Sequence, residues 1–347
     1  EGKKGFIERY GMDGQFWVRN ARAENTEVEA HLKANLNDLA KYYHAEAQKD
    51  GEQADYQEAA RYYRKYLAYF PGESDTANTN FLLAEILFES GDFDAATAEY
   101  ERTAYEYPDH DKAAEAAYAA LLAYREHEQT LTSEQQAEVK AEWHQRYLDS
   151  GLKFADTFPE HPESGAVLTT VAEDLFAQNQ FDLAITVGQA VVGKQPPVKP
   201  ELARTAWTVI AHSQFDLENF VEAESAYYSL RGFTPADDAT ANTEIKDRIA
   251  SSIYKQGEKA RDAGDLETAV THFRRLGQAV PDSSIRATAE YDAAAALINL
   301  QAWGRASTVL EEFRRDYPDS QFADDVSQKL AVAYLESGRS GQAAGEF

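Results

Sequence analysis

The chain has 347 residues, with 60 acidic against 34 basic side chains and a formal net charge of −26. That balance repels a phosphate backbone, removes the counterion release that drives nucleic-acid binding and disfavours anionic membrane surfaces. Cysteine is absent, which excludes disulfides, thiolate nucleophiles and cysteine-ligated metals, and no apolar run approaches the ~20 residues that span a bilayer.

Residues 1–25 hold four glycines around Phe6, Tyr10, Phe16 and Trp17 and keep no helical period, so they are expected to be an irregular remnant of an earlier unit. Leu32, Leu36, Leu39, Tyr42 and Tyr43 then recur at helical spacing and predict an amphipathic helix over 27–49. The loop DGEQAD follows, then a second helix over 56–70 that stops at Pro71.

Residues 80–108 contain one complete helix-turn-helix unit. Gly91 marks its turn, with Ala84 seven residues before, Phe93 two after, Ala96 five after and Pro108 seventeen after. The next first helix is expected over 112–125, and a polar insertion, 126–138, delays its partner. Ser133 with Gln136 reads as a capping box that opens a helix running to Phe158, ahead of Pro159.

The frame of the reference unit recurs down the chain. The position seven before the turn is Ala84, Ala172, Ala211, Gly257, Ala294 and Ala331, and the position five after it is Ala96, Ala184, Ala223, Ala269, Ala306 and Ala343. Two residues past the turns stand Phe93, Phe181, Phe220, Leu266, Trp303 and Ser340, so only the last lacks a bulky apolar side chain. Antiparallel helices approach closely only where side chains are small, bulky residues fill the gaps, and proline ends the second helix because it lacks an N–H. One such unit cannot bury its apolar face alone, so neighbours must stack. Seven units closed by proline and one truncated unit are expected. Phe347 falls nine residues past the turn Gly338, and the chain opens without Met or a signal-like segment, so it reads as part of something longer.

This spacing resembles the tetratricopeptide repeat family, most fully at Trp207, Ile210 and Ala211 with Ala223, Tyr227 and Pro235. Successive closing prolines from Pro71 to Pro318 lie 37, 51, 37, 39, 46 and 37 residues apart, against a family period of ~34, which implies lengthened helices and loops. The endings Tyr107-Pro108-Asp109 and Tyr317-Pro318-Asp319-Ser320 resemble repeats of bacterial envelope proteins, such as the outer-membrane assembly lipoprotein of the β-barrel machinery.

Catalytic signals do not survive inspection. Gly188 to Lys194 nearly matches a P-loop, but Gln195 stands where the magnesium-ligating hydroxyl belongs and no strand precedes it. The eight histidines show no metal-ligand spacing, the acidic loops at 50–55 and 108–111 lack the closing Glu of a calcium loop, and no Gly-x-Ser-x-Gly elbow occurs. No catalytic residue, cofactor or metal site is expected.

The resemblance implies that the first helix of each unit lines a concave groove, at positions ten, six and three before the turn. Carried across, these are Phe81, Glu85 and Phe88; Thr169, Glu173 and Phe176; Thr208, His212 and Phe215; Tyr254, Glu258 and Arg261; Tyr291, Ala295 and Ile298. Family members that grip C-terminal carboxylates use Lys, Arg and Asn there. Here Phe81, Glu85, Thr169 and Glu173 offer no forked donor, so the expected partner is a protein or peptide segment that is basic or apolar rather than acidic. Against this stands the reading that the glutamates are ordinary solvated positions and the phenylalanines lean into the core.

The whole points to an all-α, right-handed solenoid forming one array over 1–347. It is expected to act as a non-catalytic protein-protein interaction scaffold or adaptor in a bacterial envelope assembly, periplasmic or outer-membrane-associated, with a cytoplasmic placement as the alternative. A second class of reading makes it the non-catalytic arm of a larger enzyme or of a secretion or export apparatus.

Overall fold

The computed structural model describes residues 2–107, 110–133 and 136–346. Pro108, which closes the reference unit, Asp109 of the acidic loop, and Phe347 therefore lie outside the described residues. Among those described there are eighteen α-helices, one 3-10 turn and no strand. Within each unit helices pack mainly on helices next to them in sequence, and the chain divides into two compact units, residues 1–164 and 165–347.

The first unit opens with α1 (Gly2–Tyr10), α2 (Gln15–Arg19) and the 3-10 turn Arg22–Glu24. Residues 2–24 thus hold short helices where the sequence pattern suggested an irregular segment; the helices are too short to show a period. Ile7 is buried, α1 packs on α3 (Thr26–Asp50), and Lys3 reaches Asp38 at 2.6 Å. The aromatic rings of Phe6, Tyr10, Phe16 and Trp17 touch in series at 4.6, 4.9 and 5.0 Å between centroids. Trp17 Nε1 donates to the Tyr10 carbonyl at 2.7 Å and fastens α2 to the end of α1.

Three hairpins follow: α3 with α4 (Gln53–Tyr69), α5 (Thr76–Glu89) with α6 (Phe93–Tyr105), and α7 (Ala113–Thr130) with α8 (Ala137–Thr157). The polar insertion is shorter than its sequence implies, because α7 continues through Glu126 and His127 to Thr130. The 51-residue proline spacing comes from these long helices, 18 residues in α7 and 21 in α8. The capping box forms only in part. The Ser133 N–H donates to Gln136 Oε1 at 3.3 Å, but the Ser133 hydroxyl also turns to Gln136 Oε1, and α8 starts after Gln136 without a side-chain cap.

The second unit holds α9 (Ser164–Ala177) and α10 (Phe181–Val192), then the pairs α11 (Pro200–Asp216) with α12 (Phe220–Phe233) and α13 (Ala239–Asp262) with α14 (Leu266–Ala279). It ends with α15 (Arg286–Asn299), α16 (Trp303–Asp316), α17 (Ala323–Glu336) and the four-residue α18 (Ser340–Ala343).

The backbone carries the same register as the sequence. The six turn positions Gly91, Asn179, Glu218, Gly264, Gln301 and Gly338 all have φ between 57° and 82°. At each, the next N–H bonds five residues back, as Asp92 N does to Leu87 O at 3.0 Å and Ala302 N to Leu297 O at 2.9 Å, which satisfies carbonyls left free at a helix end. The alanines of the small series are buried to within 3 % of full cover. At Gly257 a Cβ would stand 2.5 Å from the Phe273 ring of α14, so only glycine admits that approach. Gly188 of the near-P-loop sits inside α10, where a Cβ would lie 2.9 Å from Ile210 of α11; it is a packing glycine rather than part of a phosphate loop.

Candidate partner-binding face

In the first unit the positions ten, six and three before the Gly91 turn lie on α5. Phe81 is buried, edge-on to Tyr100 at 5.8 Å, with Lys112 Nζ 5.2 Å from its ring centre. Glu85 is half-buried and accepts a hydrogen bond from the Tyr100 hydroxyl, whose ionisation is driven far upward by burial and by that carboxylate. Phe88 is half-buried and meets Phe93 across the turn at 5.6 Å.

In the second unit Thr169 is buried and donates to the Gly165 carbonyl at 2.8 Å. Glu173 reaches solvent on one side, while protein crowding on the others, then Asp174, raises its pKa. Phe176 and Phe215 repeat the brace seen at Phe88, meeting Phe181 at 5.6 Å and Phe220 at 5.3 Å. The brace explains Leu335: the residue two past its turn is Ser340, and Leu335 is left 57 % exposed. These phenylalanines therefore combine the two readings of the sequence, one side of each ring packed across the turn and the residue only half-buried.

Tyr254 and Tyr291 spend their hydroxyls on the following first helix. Tyr254 donates to Asp292 Oδ2 at 2.6 Å, and Tyr291 donates to Asp325 while stacking on Phe322 at 4.3 Å. Glu258 is paired with Lys255 at 2.7 Å and Arg261 at 3.4 Å, and Ala295 and Ile298 are half-buried.

The structure also brings together residues that the groove positions do not include. A cleft of about 150 Å³ opens between α11, α12 and α13, lined by Thr208 and His212 with Arg204, Tyr227, Glu244 and Arg248, over an apolar floor of Leu230, Ala241 and Ile245. Arg204 pairs with Asp238 at 2.9 Å. Arg248 makes no carboxylate pair within 4.0 Å among the described residues, and its guanidinium lies 5.7 Å from the Phe215 ring centre. The Tyr227 ring, 1 % exposed, lies 5.7 Å from His212, and its hydroxyl is buried without a hydrogen-bond partner. Burial, then Arg248, depresses the His212 pKa and keeps the imidazole neutral near pH 7. A forked donor thus stands on the first-helix side here, away from Phe81, Glu85, Thr169 and Glu173, the positions that offer none. The reason is α13: its 24 residues place Arg248 sixteen before the Gly264 turn, outside the three counted positions.

Among the described residues no group of three His, Asp or Glu is placed to hold a metal, and no helix is long and apolar enough to cross a membrane.

A tetratricopeptide repeat family model matches residues 52–123. No curated protein sequence matches the chain significantly. Similar solved structures include PilF of Pseudomonas aeruginosa, at 14 % identity over 72 % of this chain and 96 % of that one, with a TM-score of 0.28. The tetratricopeptide domain of P58(IPK) is 14 % identical over 100 % and 91 %, with a TM-score of 0.28. A signal-transduction ATPase of Pyrococcus horikoshii with a tetratricopeptide repeat sensor is 14 % identical over 95 % and 52 %, with a TM-score of 0.31. The family match covers residues 52–123, and the left-handed turn register recurs beyond it. Repeats of this kind typically mediate protein–protein interaction without catalysis.

Proposed function

We propose that this tetratricopeptide-repeat chain is a non-catalytic scaffold that holds a segment of a partner protein against the first-helix faces of its hairpins. The observation that supports this most is the recurrence of half-buried aromatics on the first helices, Phe88, Phe176 and Phe215 three before their turns and Tyr254 and Tyr291 ten before theirs, each fixed by a packed neighbour or a hydrogen-bonded hydroxyl. Rings already held in place lose little freedom when a ligand covers them, which suits them as anchors.

The net charge of −26 favours a basic or apolar segment, steered by charge and retained by aromatic burial. The aromatic-proline endings support placing the chain in a bacterial envelope assembly, periplasmic or outer-membrane-associated. Titration with basic, neutral and acidic peptide libraries at low and high salt, alongside Glu85→Lys and Glu173→Lys, tests this reading. Basic or apolar peptides should win, with on-rates that fall with salt and with either substitution. Binding indifferent to both substitutions and to loss of Phe176 and Tyr254 places the site elsewhere.

A further inference from the structure

Tyr100 and Tyr227 occupy the same place in the repeat, nine residues past the turns Gly91 and Glu218. The residues they meet, six before those turns, are Glu85 and His212. In the α5–α6 hairpin the tyrosine hydroxyl is satisfied by the Glu85 carboxylate. In the α11–α12 hairpin the position holds an imidazole, and the equivalent hydroxyl, on a side chain 1 % exposed, has no hydrogen-bond partner. A buried, unpaired hydroxyl is destabilising, and such a group in a native structure calls for a reason.

Two further features give one. The hydroxyl's residue lines a cleft, and the same cleft is lined by Arg248, whose guanidinium has no carboxylate partner among the described residues. A free forked cation and an unused O–H donor on one cleft call for an acceptor bearing negative charge. Glu244 on the same wall opposes an anion and Arg204 is already paired with Asp238 at 2.9 Å, which leaves Arg248 to supply the positive charge. At about 150 Å³ the cleft is below the ~300 Å³ of pockets that take drug-sized ligands and fits one side chain.

We propose that the cleft between α11, α12 and α13 receives one carboxylate, an Asp or Glu side chain of the bound partner segment, in the role Glu85 plays for Tyr100. This rests on the scaffold reading and sharpens it: the segment is basic or apolar overall but carries one acid at a fixed position. Arg248 supplies the charge, Tyr227 donates its hydrogen, and the neutral His212 adds no second positive charge.

The test selects a random peptide library on the full chain and on Tyr227→Phe, Arg248→Gln and His212→Glu. Peptides selected on the wild type should share one acidic position, and changing it to Gln should weaken binding about tenfold, the scale of one charge-assisted hydrogen bond. That preference should vanish in Tyr227→Phe and Arg248→Gln. It should also vanish in His212→Glu, which supplies the carboxylate internally. Selected peptides with no common acid overturn this inference and leave the scaffold reading standing. If no peptide is selected, the scaffold reading falls, and the cleft is decided by thermal unfolding in sodium acetate against sodium chloride at matched ionic strength. A rise in midpoint with acetate that is lost in Arg248→Gln and Tyr227→Phe supports a carboxylate site, and equal midpoints overturn it.

Discussion

The α5–α6 hairpin of the first unit and the α11–α12 hairpin of the second share one frame and differ in what they do with it. Both place a tyrosine nine residues past a left-handed turn, against the residue six before it. In the first the pair is closed, Tyr100 to Glu85, and the neighbouring Phe81 is buried. In the second the pair is open: Tyr227 lies beside a neutral His212, with Arg248 across the cleft. One hairpin uses its tyrosine hydroxyl for its own stability and the other leaves it unpaired. Repeat positions thus set where a residue sits, while the residue type decides whether the position is structural or free to bind.

The largest effect is expected where the second unit has glycine in the small series and the first has alanine. Ala84 and Gly257 are equivalent, seven before their turns, and Gly257 faces Phe273, the aromatic residue nine past its turn. A Cβ at Gly257 would lie 2.5 Å from the fully buried Phe273, which has no room to turn away. Gly257→Leu should destabilise by about 3 kcal/mol through overpacking, and Gly257→Ala by less. Combining Gly257→Ala with Phe273→Leu should recover part of that loss, since the two side chains compete for one volume. Chemical denaturation measures all three, and an unchanged midpoint in Gly257→Leu would falsify the register.

The tyrosine pair comes next. Tyr100→Phe removes the donor from Glu85 and should cost about 1.5–3 kcal/mol, the range for a hydrogen bond to a charged group. Tyr227→Phe removes only an unpaired hydroxyl and should be neutral or slightly stabilising. Equal losses in the two variants would mean that the α11–α12 hairpin also satisfies its tyrosine.

The sequence made the hairpins legible because their constraints are local. Two small positions and a closing proline each demand a particular residue type and a left-handed turn favours glycine, and Ala84, Gly91 and Ala96 show all but the proline together in one short stretch. The same reasoning missed α1 and α2, where nine and five residues are too few for a period to appear. It stopped α7 at Arg125 because polarity over 126–130 signals solvent exposure as readily as a loop. The groove positions located Thr208 and His212, but not Arg248, which depends on how far α13 extends beyond the common frame. A readable signal for the cleft did exist: Tyr100 and Tyr227 share a register position whose partner changes from Glu85 to His212.

A smaller effect is expected at the turns. The first unit uses Gly91 at φ 79°, whereas the second also places Glu218 and Gln301 in the same left-handed region, at 59° and 57°. A side chain there is strained relative to glycine. Glu218→Gly and Gln301→Gly should each stabilise by about 0.5–1 kcal/mol despite the added flexibility of the unfolded chain, and Gly91→Gln should lose a similar amount. The Lys259 bond to Glu218 is to its backbone carbonyl, so that substitution leaves it in place. A stability loss in both glycine variants would show that the side chains of Glu218 and Gln301 hold their turns by contacts stronger than the strain.

The smallest effect separates the units by pH. Burial lowers the pKa of His44 in the first unit, and nearby Glu89 and Glu85 oppose the shift; burial also lowers that of His212, where Arg248 adds to the shift and Glu244 and Asp216 oppose it. A histidine with a depressed folded pKa binds fewer protons folded than unfolded below its ordinary value of 6.5. Its contribution to stability is complete above that value and is lost as pH falls toward the folded pKa. The chain should therefore weaken between pH 7 and 5, and His212→Gln should flatten that decline more than His44→Gln. Unfolding midpoints of the three proteins across this range measure the slopes. A steeper decline in His212→Gln than in the wild type would mean that the imidazole is charged in the fold, which Arg248 beside it opposes.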